Sequence, residues 1–185
     1  MNNQEYLLNL IKNVEKWNQW RKFNDDVKID LSGMNLSNYD LEGINLSNCN
    51  LTQVNFIGSN LRFANLNHGN LTKANLIGVN LRLASLRKAI LINTELHRGN
   101  LSEADLKQVM ISESDLSNTT LYETELGEAK IYKSNFKNAG LINTHLIKAD
   151  IILSNFEGAI FQNSDFRWAN LIKTEISLSP CIPNF

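Results

Sequence analysis

Large apolar residues recur at every fifth position along most of the chain. From Leu31 to Ile176, all 30 positions whose numbers end in 1 or 6 hold Leu, Ile or Phe. An amphipathic helix would space its apolar residues by three and four, and a half-buried strand would alternate every two residues. A chain that advances one step every five residues is typical of a solenoid, in which each step contacts mainly its neighbours. The pattern therefore predicts a solenoid over residues 29–178.

The residues that precede each large apolar centre keep the same five-residue period. The position two before the centre is small, often Ala, and the position just before it is Asn or Asp in 19 of the 30 repeats. Large and small inward residues together fill a narrow coil at the density of a protein interior. Asn and Asp suit tight bends, because their short side chains bond nearby backbone and tolerate unusual backbone angles. Each repeat is thus predicted to form one side and one corner of a coil.

A second period of twenty residues lies under the first. Residues 45–66 and 65–86 are identical at 13 of 22 aligned positions. The matches at outward positions are the informative ones, such as Thr52 with Thr72, because core matches follow from the five-residue rule. Four pentapeptides are therefore the predicted sides of one coil. The repeats make about 7.5 coils, a rod roughly 36 Å tall at the usual strand spacing.

The stretches Ala64-Asn65-Leu66, Ala74-Asn75-Leu76 and Ala104-Asp105-Leu106 follow the pattern A-(D/N)-L-x-x. In these repeats the chain resembles the pentapeptide-repeat family, and the stretch from Trp17 to Arg21 resembles leader segments of some bacterial, especially cyanobacterial, members. The resemblance implies an all-β solenoid, a right-handed quadrilateral β-helix with inward Leu or Phe. It supplies no catalytic motif and implies a non-enzymatic binding or scaffold protein. Some members resemble DNA and modulate gyrase in quinolone protection, and that role is the alternative function.

Residues 1–28 are predicted to form an amphipathic capping α-helix and a linker. An open solenoid end is an unpaired edge, and the helix would cover it, with Asn2 or Asn3 as its N-cap. A membrane-surface anchor and a partner-binding helix are the alternatives, and the mixed charge of the polar face disfavours the membrane. Residues 179–185 form a tail that either folds over the last coil or frays. The apolar positions of the capping helix are Leu7, Leu10, Ile11, Val14, Trp17 and Trp20.

Composition disfavours several classes of protein. We expect no signal peptide and no membrane span, since no apolar stretch is long enough. Cys49 and Cys181 lie too many coils apart for a disulfide, so a reducing cytoplasm is the expected location. The three histidines are expected to be solvated and too dispersed to converge on a metal ion. We therefore predict no catalytic, cofactor-binding or metal site, and no enzyme activity.

Charge is ordered along the chain although the net charge is −1. Because sequence position becomes height in a solenoid, residues 62–98, 103–128 and 130–148 form basic, acidic and basic rings. Neighbouring rings either neutralise each other, a small effect at a surface, or give a partner a charge register. The acidic ring is too short for a continuous DNA-like surface. A basic stripe for binding nucleic acid is missing as well.

One outward surface favours an interaction with another protein. The twenty-residue period stacks its apolar residues on one side over five successive coils, and an exposed apolar surface of that size usually marks an interface. The partner is an unknown protein or a second copy of the chain, which could also bind at an end of the solenoid. Cover by the C-terminal tail is a further possibility. The predicted apolar column comprises Ile90, Ile92, Met110, Tyr132, Ile152, Leu153 and Ile172.

Overall fold

A parallel register of twenty residues builds the solenoid. The computed structural model describes residues 3–24 and 27–176. Residues i and i+20 pair in parallel from Asp30 with Asn50 up to Phe156 with Ile176. We number the four sides of the coil by their central residues. Side 1 contains Leu31, side 2 Leu36, side 3 Leu41 and side 4 Leu46, and each side recurs every twenty residues. The predicted four-sided β-solenoid is confirmed.

The large centres of the repeats fill the interior of the coils. The centres are buried from Leu31 to Phe166, and the small positions before them are buried as well, except for the half-buried Tyr39. Towards the C-terminal end the core changes from aliphatic to aromatic. Phe136 and Phe156 stack with their ring centroids 4.7 Å apart, and Phe161 and Phe166 continue the contact at 5.6 and 5.4 Å.

Most corners are closed by tight turns of one kind. At Leu31 the carbonyl accepts a hydrogen bond from the amide of Met34, and Gly33 between them has a φ of 69°. A positive φ at the third residue defines a type II turn. Ordinary residues such as Phe63 and Lys73 take this left-handed conformation too, although it normally favours Gly or Asn.

The Asn or Asp before each centre supports the corner through its side chain, as predicted. The Oδ1 atom of Asn50 accepts hydrogen bonds from the amide and the hydroxyl of Thr52, at 3.2 and 2.6 Å. Asn70 holds Thr72 in the same way. The Asn or Asp at this position accepts hydrogen bonds, while the positive φ falls on the third residue of the turn, which is itself Asn in repeats such as Asn38 and Asn48.

We call the coils nearer the N-terminus the lower coils and those from Ile90 onward the upper coils. Regular strands form mainly on side 1 of the upper coils. They lie at β1 (Ile90–Ile92), β2 (Met110–Ser112), β3 (Lys130–Tyr132), β4 (Asp150–Ile152), β5 (Asn155–Phe156), β6 (Asn170–Ile172) and β7 (Glu175–Ile176). Strands β1, β2, β3, β4 and β6 make one five-stranded parallel sheet, while β5 and β7 make a second sheet on side 2. In the other described repeats each side contributes a single bridge.

A stack of buried hydroxyls opens the corners beside the five-stranded sheet. The amide of Thr94 donates to Ser114 Oγ at 2.9 Å, and the amides of Ser114 and Ser134 donate to the hydroxyls of Ser134 and Ser154. Ser114 Oγ in turn donates to the carbonyl of Leu91 at 3.0 Å. These amides bond the next coil instead of closing their own turn, and the strands before them run to Ile92 and Ser112, while Asn93 and Glu113 still take a positive φ of 52°. We name Thr94, Ser114, Ser134 and Ser154 the hydroxyl ladder.

The N-terminal segment contains two helices, and the prediction of a single helix was wrong. Helix α1 spans Asn3–Ile11 and helix α2 spans Val14–Lys22. Asn13 is the N-cap of α2, because its side chain accepts a hydrogen bond from the amide of Lys16 at 2.9 Å. Asn at an N-cap satisfies a helix amide that has no partner within the helix. The chain therefore bends between the two helices.

Both helices pack on the first coil. Leu7, Ile11 and Trp17 are buried in one cluster with the solenoid core, while Leu10, Val14 and Trp20 pack against it half-buried. The enlarged small positions of the first coils join the same cluster, with Met34 and Ile44 buried and Tyr39 packed against them. The apolar face predicted from the sequence therefore covers the open end.

Side chains of α2 also replace the backbone partners that a preceding coil would supply. Trp17 Nε1 donates to the carbonyl of Asn45 at 2.7 Å, and Asn18 Oδ1 accepts from the amide of Asn45 at 2.8 Å. The buried guanidinium of Arg21 donates to the carbonyl of Ser47 at 3.0 Å. A strand edge with its hydrogen bonds satisfied no longer offers a template for another chain. Helix α2 is thus a cap in both the apolar and the hydrogen-bonding sense.

Within the described residues, each of the two helices has nine residues, which is too short to cross a bilayer. Residues 177–185, which include the predicted tail 179–185 and Cys181, lie outside the described part of the chain.

Candidate protein-binding face

The predicted apolar column lies on the five-stranded sheet of side 1. Ile92, Ser112, Tyr132, Ile152 and Ile172 follow one another in register along β1, β2, β3, β4 and β6. Ile90 and Met110 stack in the same way at the other end of β1 and β2. Strand residues alternate between the two faces of a sheet. The centres of these strands therefore point into the core, and their neighbours form the outer face.

Exposure separates the members of the column. Met110, Tyr132, Leu153 and Ile172 have 41%, 39%, 42% and 45% of their surface exposed. Ile90, Ile92 and Ile152 are half-buried between their neighbours. Met110, Tyr132 and Ile172 thus project beside half-buried isoleucines on the five-stranded sheet, and Leu153 lies at the corner that follows β4.

Charged residues flank the apolar column on the same sheet. Lys130 precedes Tyr132 on β3, and Asp150 occupies the corresponding position on β4. On the other flank, Glu113, Lys133 and Lys173 follow β2, β3 and β6. Lys133 Nζ lies 5.0 Å from the centre of the Tyr132 ring, and a hydrogen bond to that side chain raises the pKa of Lys133. The face therefore combines apolar area with both signs of charge.

A second cluster of polar groups lies on side 2. His97 Nδ1 is 3.7 Å from both Glu95 Oε2 and Asp115 Oδ2. The prediction that the histidines are solvated and too dispersed to converge with other ligands was wrong here, since His97 is only 29% exposed and faces two carboxylates. A signal was present in the sequence, because Asp115 lies one coil above Glu95 in the twenty-residue period.

A groove of 340 Å³ runs along side 4, where Gly127 leaves space between its neighbours. Glu125 lies on its wall between Lys107, 3.2 Å away, and His145, whose Nδ1 atom is 3.0 Å from the carboxylate. The polar groups of this wall therefore satisfy one another.

The predicted charge rings neutralise each other in part. Arg82 and Arg87 of the basic ring pair with Glu103 and Asp105 of the acidic ring at 2.6 and 2.8 Å. These residues are stacked one coil apart and partly exposed, so each pair contributes little to stability.

Cys49 is buried, as predicted for an inward small position. Burial raises the pKa of its thiol to about 12. The thiol therefore stays protonated near neutral pH and is a poor nucleophile.

The sequence profile described as "Pentapeptide repeats" matches residues 35–72, 64–108, 100–138 and 134–177. The chain belongs to the pentapeptide-repeat family. This assignment agrees with the four-sided solenoid and with the predicted resemblance. A search of curated proteins gave no match.

Several solved pentapeptide-repeat structures are similar to this chain. HetL, involved in heterocyst differentiation regulation in the cyanobacterium Nostoc sp. strain PCC 7120, is 20% identical over 83% of this chain and 93% of HetL, with a TM-score of 0.31. Full-length QnrB1, a plasmid-mediated fluoroquinolone resistance protein, is 14% identical over 80% of this chain and 84% of its own, with a TM-score of 0.39. Rfr23 from the cyanobacterium Cyanothece 51142 is 22% identical over 85% of this chain and 95% of Rfr23, with a TM-score of 0.21. At these scores the likenesses give this pentapeptide-repeat protein no specific role.

Proposed function

We propose that this pentapeptide-repeat protein is a non-enzymatic scaffold that binds protein through the apolar column of side 1, and that a second copy of the chain is its occupant. The observation that carries the proposal is the exposed sheet on which Met110, Tyr132 and Ile172 project, with the exposed Leu153 at the adjoining corner. Contiguous apolar area of this kind marks interaction sites in soluble proteins. The same face carries positive and negative side chains on different strands, so that two copies of the face can place opposite charges against each other.

A two-fold axis that runs parallel to the strands, between β3 and β4, makes the face self-complementary. Such an axis places β3 of one copy opposite β4 of the other copy. Residues at the same position along these two strands therefore face each other. Tyr132 then faces Ile152, and Lys130 faces Asp150. The same axis places β2 opposite β6, so Glu113 faces Lys173. Both oppositions of charge are favourable, and each occurs twice in the dimer.

The size of the column limits the strength of this dimer. Five strands at about 4.8 Å spacing and three residues at about 3.3 Å give a footprint of roughly 250 Å². A stable interface usually buries about 800 Å² on each partner. The column alone is therefore expected to give reversible association, with a dissociation constant in the micromolar range or weaker.

Charge exchange across the axis tests the proposal. Sedimentation velocity from about 10 µM to 1 mM is expected to show reversible dimerisation of the wild type. Asp150→Lys should abolish it, because Lys130 of one copy then faces a lysine of the other. The double exchange Lys130→Asp with Asp150→Lys should restore it, since the opposition of charges returns. Thr52→Lys with Thr72→Lys, on the same side of lower coils, is the matched control and should leave dimerisation unchanged.

Substitution of the apolar residues supplies a second arm. The combined variant Ile92→Lys, Tyr132→Lys and Ile152→Lys places like charges opposite each other across the axis, and it should sediment as a monomer at every concentration. A wild type that stays monomeric up to about 1 mM, or a triple variant that dimerises like the wild type, would overturn the proposed dimer.

Two carboxyls, those of Asp30 and Asp165, are unsuited to act as general acids at neutral pH. A general acid at neutral pH needs a carboxyl whose pKa is raised. Hydrogen bonds from Ser32 and from Arg167 lower the pKa of Asp30 and Asp165. Both groups are therefore ionised over the physiological range.

Ion pairing disfavours the alternative role of a DNA-mimic gyrase modulator. A mimic needs a continuous negative surface, while Glu103, Asp105 and Glu125 each have a cation within 3.2 Å. A gyrase supercoiling assay separates the two functions. The scaffold role predicts no inhibition and no protection from a fluoroquinolone, and either effect would favour the mimic.

A further inference from the structure

Three potential metal ligands converge on side 2 of the solenoid, outside the apolar column. Glu95, His97 and Asp115 each offer one ligand atom, and these atoms lie within 4.8 Å of one another. Glu95 and His97 flank one centre, and Asp115 lies directly above Glu95 because the two residues pair across successive coils. The solenoid backbone thus fixes the spacing of the three residues.

The inward nitrogen of His97 points to a ligand at this cluster. Nδ1 is inaccessible to solvent and has no hydrogen-bond partner among residues 3–24 and 27–176. A buried polar atom without a partner is costly. Both carboxylate oxygens lie 3.7 Å away, beyond hydrogen-bond distance. Two donors that each lie about 2.1 Å from a tetrahedral ion are about 3.4 Å apart, so the observed spacing suits a shared cation better than a direct hydrogen bond.

Asp115 is oriented for this role by its other oxygen. Oδ1 accepts hydrogen bonds from the amide of Ser117 at 2.9 Å and from Asn135 Nδ2 at 3.0 Å. These bonds hold the carboxylate and leave Oδ2 facing His97. Metal-binding carboxylates and imidazoles are commonly held by such outer hydrogen bonds.

The same stacking of a histidine and a carboxylate on side 4 gives a different result. His145 and Glu125 are also one coil apart, but their atoms approach to 3.0 Å and Lys107 holds the carboxylate from the other side at 3.2 Å. A cation there would meet a positive side chain. The open arrangement around His97 is therefore a property of that cluster and not of stacked polar residues in general.

We infer that Glu95, His97 and Asp115 form a binding site for a divalent transition-metal cation, with Zn²⁺ as the representative ion. One imidazole and two carboxylates are a ligand set that suits zinc, and three protein ligands leave a fourth position to water. Ca²⁺ and Mg²⁺ prefer sites made of oxygen alone, so the imidazole disfavours them.

Calorimetric titration of the untagged, chelator-treated protein with ZnCl₂ tests the site. The wild type is expected to bind one Zn²⁺ per chain, and MgCl₂ is expected to give no saturable heat. Asp115→Asn retains Oδ1 as an acceptor and removes the charged ligand, so it should weaken Zn²⁺ binding at least tenfold. His97→Ala should do the same, while His145→Ala and His68→Ala should bind like the wild type.

Thermal unfolding with and without ZnCl₂ gives an independent readout. A ligand that binds only the folded state raises its stability, so Zn²⁺ should raise the Tm of the wild type and of His145→Ala. At the same ZnCl₂ concentration it should raise the Tm of His97→Ala and Asp115→Asn much less. Absence of saturable Zn²⁺ binding by the wild type, or equal binding by a folded His97→Ala variant, would overturn the inference.

Discussion

The lower and upper coils share one backbone plan and differ in how their polar groups are satisfied. In the lower coils, side 1 carries residues such as Asn50 and Asn70, whose amide oxygens hold the next corner. In the upper coils the corresponding positions are Ile90 and Met110, and the buried hydroxyl ladder bonds from coil to coil instead. The lower end is closed by α2, while the upper core is aromatic.

The difference shows that support of the corners can move from the surface to the interior. Where Asn lies outside, its side chain is occupied and the surface is polar. Where Ser or Thr lies inside, as at Thr94 and Ser114, the outer positions no longer have to support the turn. Apolar residues can then occupy the surface without loss of the fold. The apolar column and the hydroxyl ladder therefore occur in the same coils.

Removal of the cap should have the largest effect on the lower coils. Trp17→Ala deletes a buried ring and its hydrogen bond to the Asn45 carbonyl, and we expect a loss of about 3 to 5 kcal/mol in the free energy of unfolding. Urea denaturation measures it. Phe23→Ala, at an exposed aromatic position next to α2, is the control and should change little. Equal losses in the two variants would contradict a capping role for α2.

Removal of one rung of the hydroxyl ladder should affect the upper coils next. Ser114→Ala leaves the buried amide of Thr94 without its partner and removes the hydroxyl that donates to the carbonyl of Leu91, which should cost about 1 to 3 kcal/mol. The matched change Ser117→Ala, on a more accessible hydroxyl, should cost less than about 0.5 kcal/mol. Urea denaturation of the two variants measures the two losses in unfolding free energy. An unchanged unfolding free energy for Ser114→Ala would contradict the prediction, because it would show that the turn closes again without the hydroxyl.

Substitution at one position of the repeat compares the two halves directly. Asn70→Ala removes two hydrogen bonds to Thr72 and should destabilise the protein by about 0.5 to 1.5 kcal/mol. Met110→Ala, two coils above, removes an exposed side chain and should change the stability of the monomer by less than about 0.5 kcal/mol. The measurement is thermal or urea unfolding at low protein concentration. The reverse order of effects would contradict the assignment of corner support.

Acid titration should produce the smallest effect. The hydrogen bond from Arg167 lowers the pKa of Asp165 below its ordinary value. A lowered pKa in the folded state adds stability above the unfolded pKa, about 3.9, and this stability is lost as the pH falls through the folded pKa. Carboxyl NMR titration should show a low pKa in the wild type and a higher one in Arg167→Gln. Asp30 in the lower coils should not respond, and a normal pKa for Asp165 in the wild type would refute the prediction.

The five- and twenty-residue periods were sufficient to predict most of the fold. They determine which residues are inward and which are stacked, so the coil, the buried Cys49 and the face with Tyr132 and Ile152 follow from spacing alone. The break between α1 and α2 was missed because the apolar spacing continues across it. Asn13, which is a better N-cap than a helix-interior residue, was the available signal.

The cluster at His97 could not be predicted in full. The period places Asp115 above Glu95, but it does not show whether a histidine turns towards its stacked neighbours or into solvent. That choice depends on side-chain torsions and on the hydrogen bonds that hold Asp115. The hydroxyl ladder is similar, because Ser and Thr at small positions were predictable while the direction of their hydrogen bonds was not.

Intermolecular distance measurement tests the central claim most directly. A spin label at Ser112→Cys, in a Cys181→Ser background, lies on the apolar column, and a label at Glu123→Cys lies on side 3. Face-to-face sheets pack about 10 Å apart. Pulsed dipolar spectroscopy should therefore give a short distance between copies for the label at position 112, and that distance should vanish in Asp150→Lys. A short distance from position 123, or none from position 112 at concentrations where the protein self-associates, would contradict a dimer through side 1.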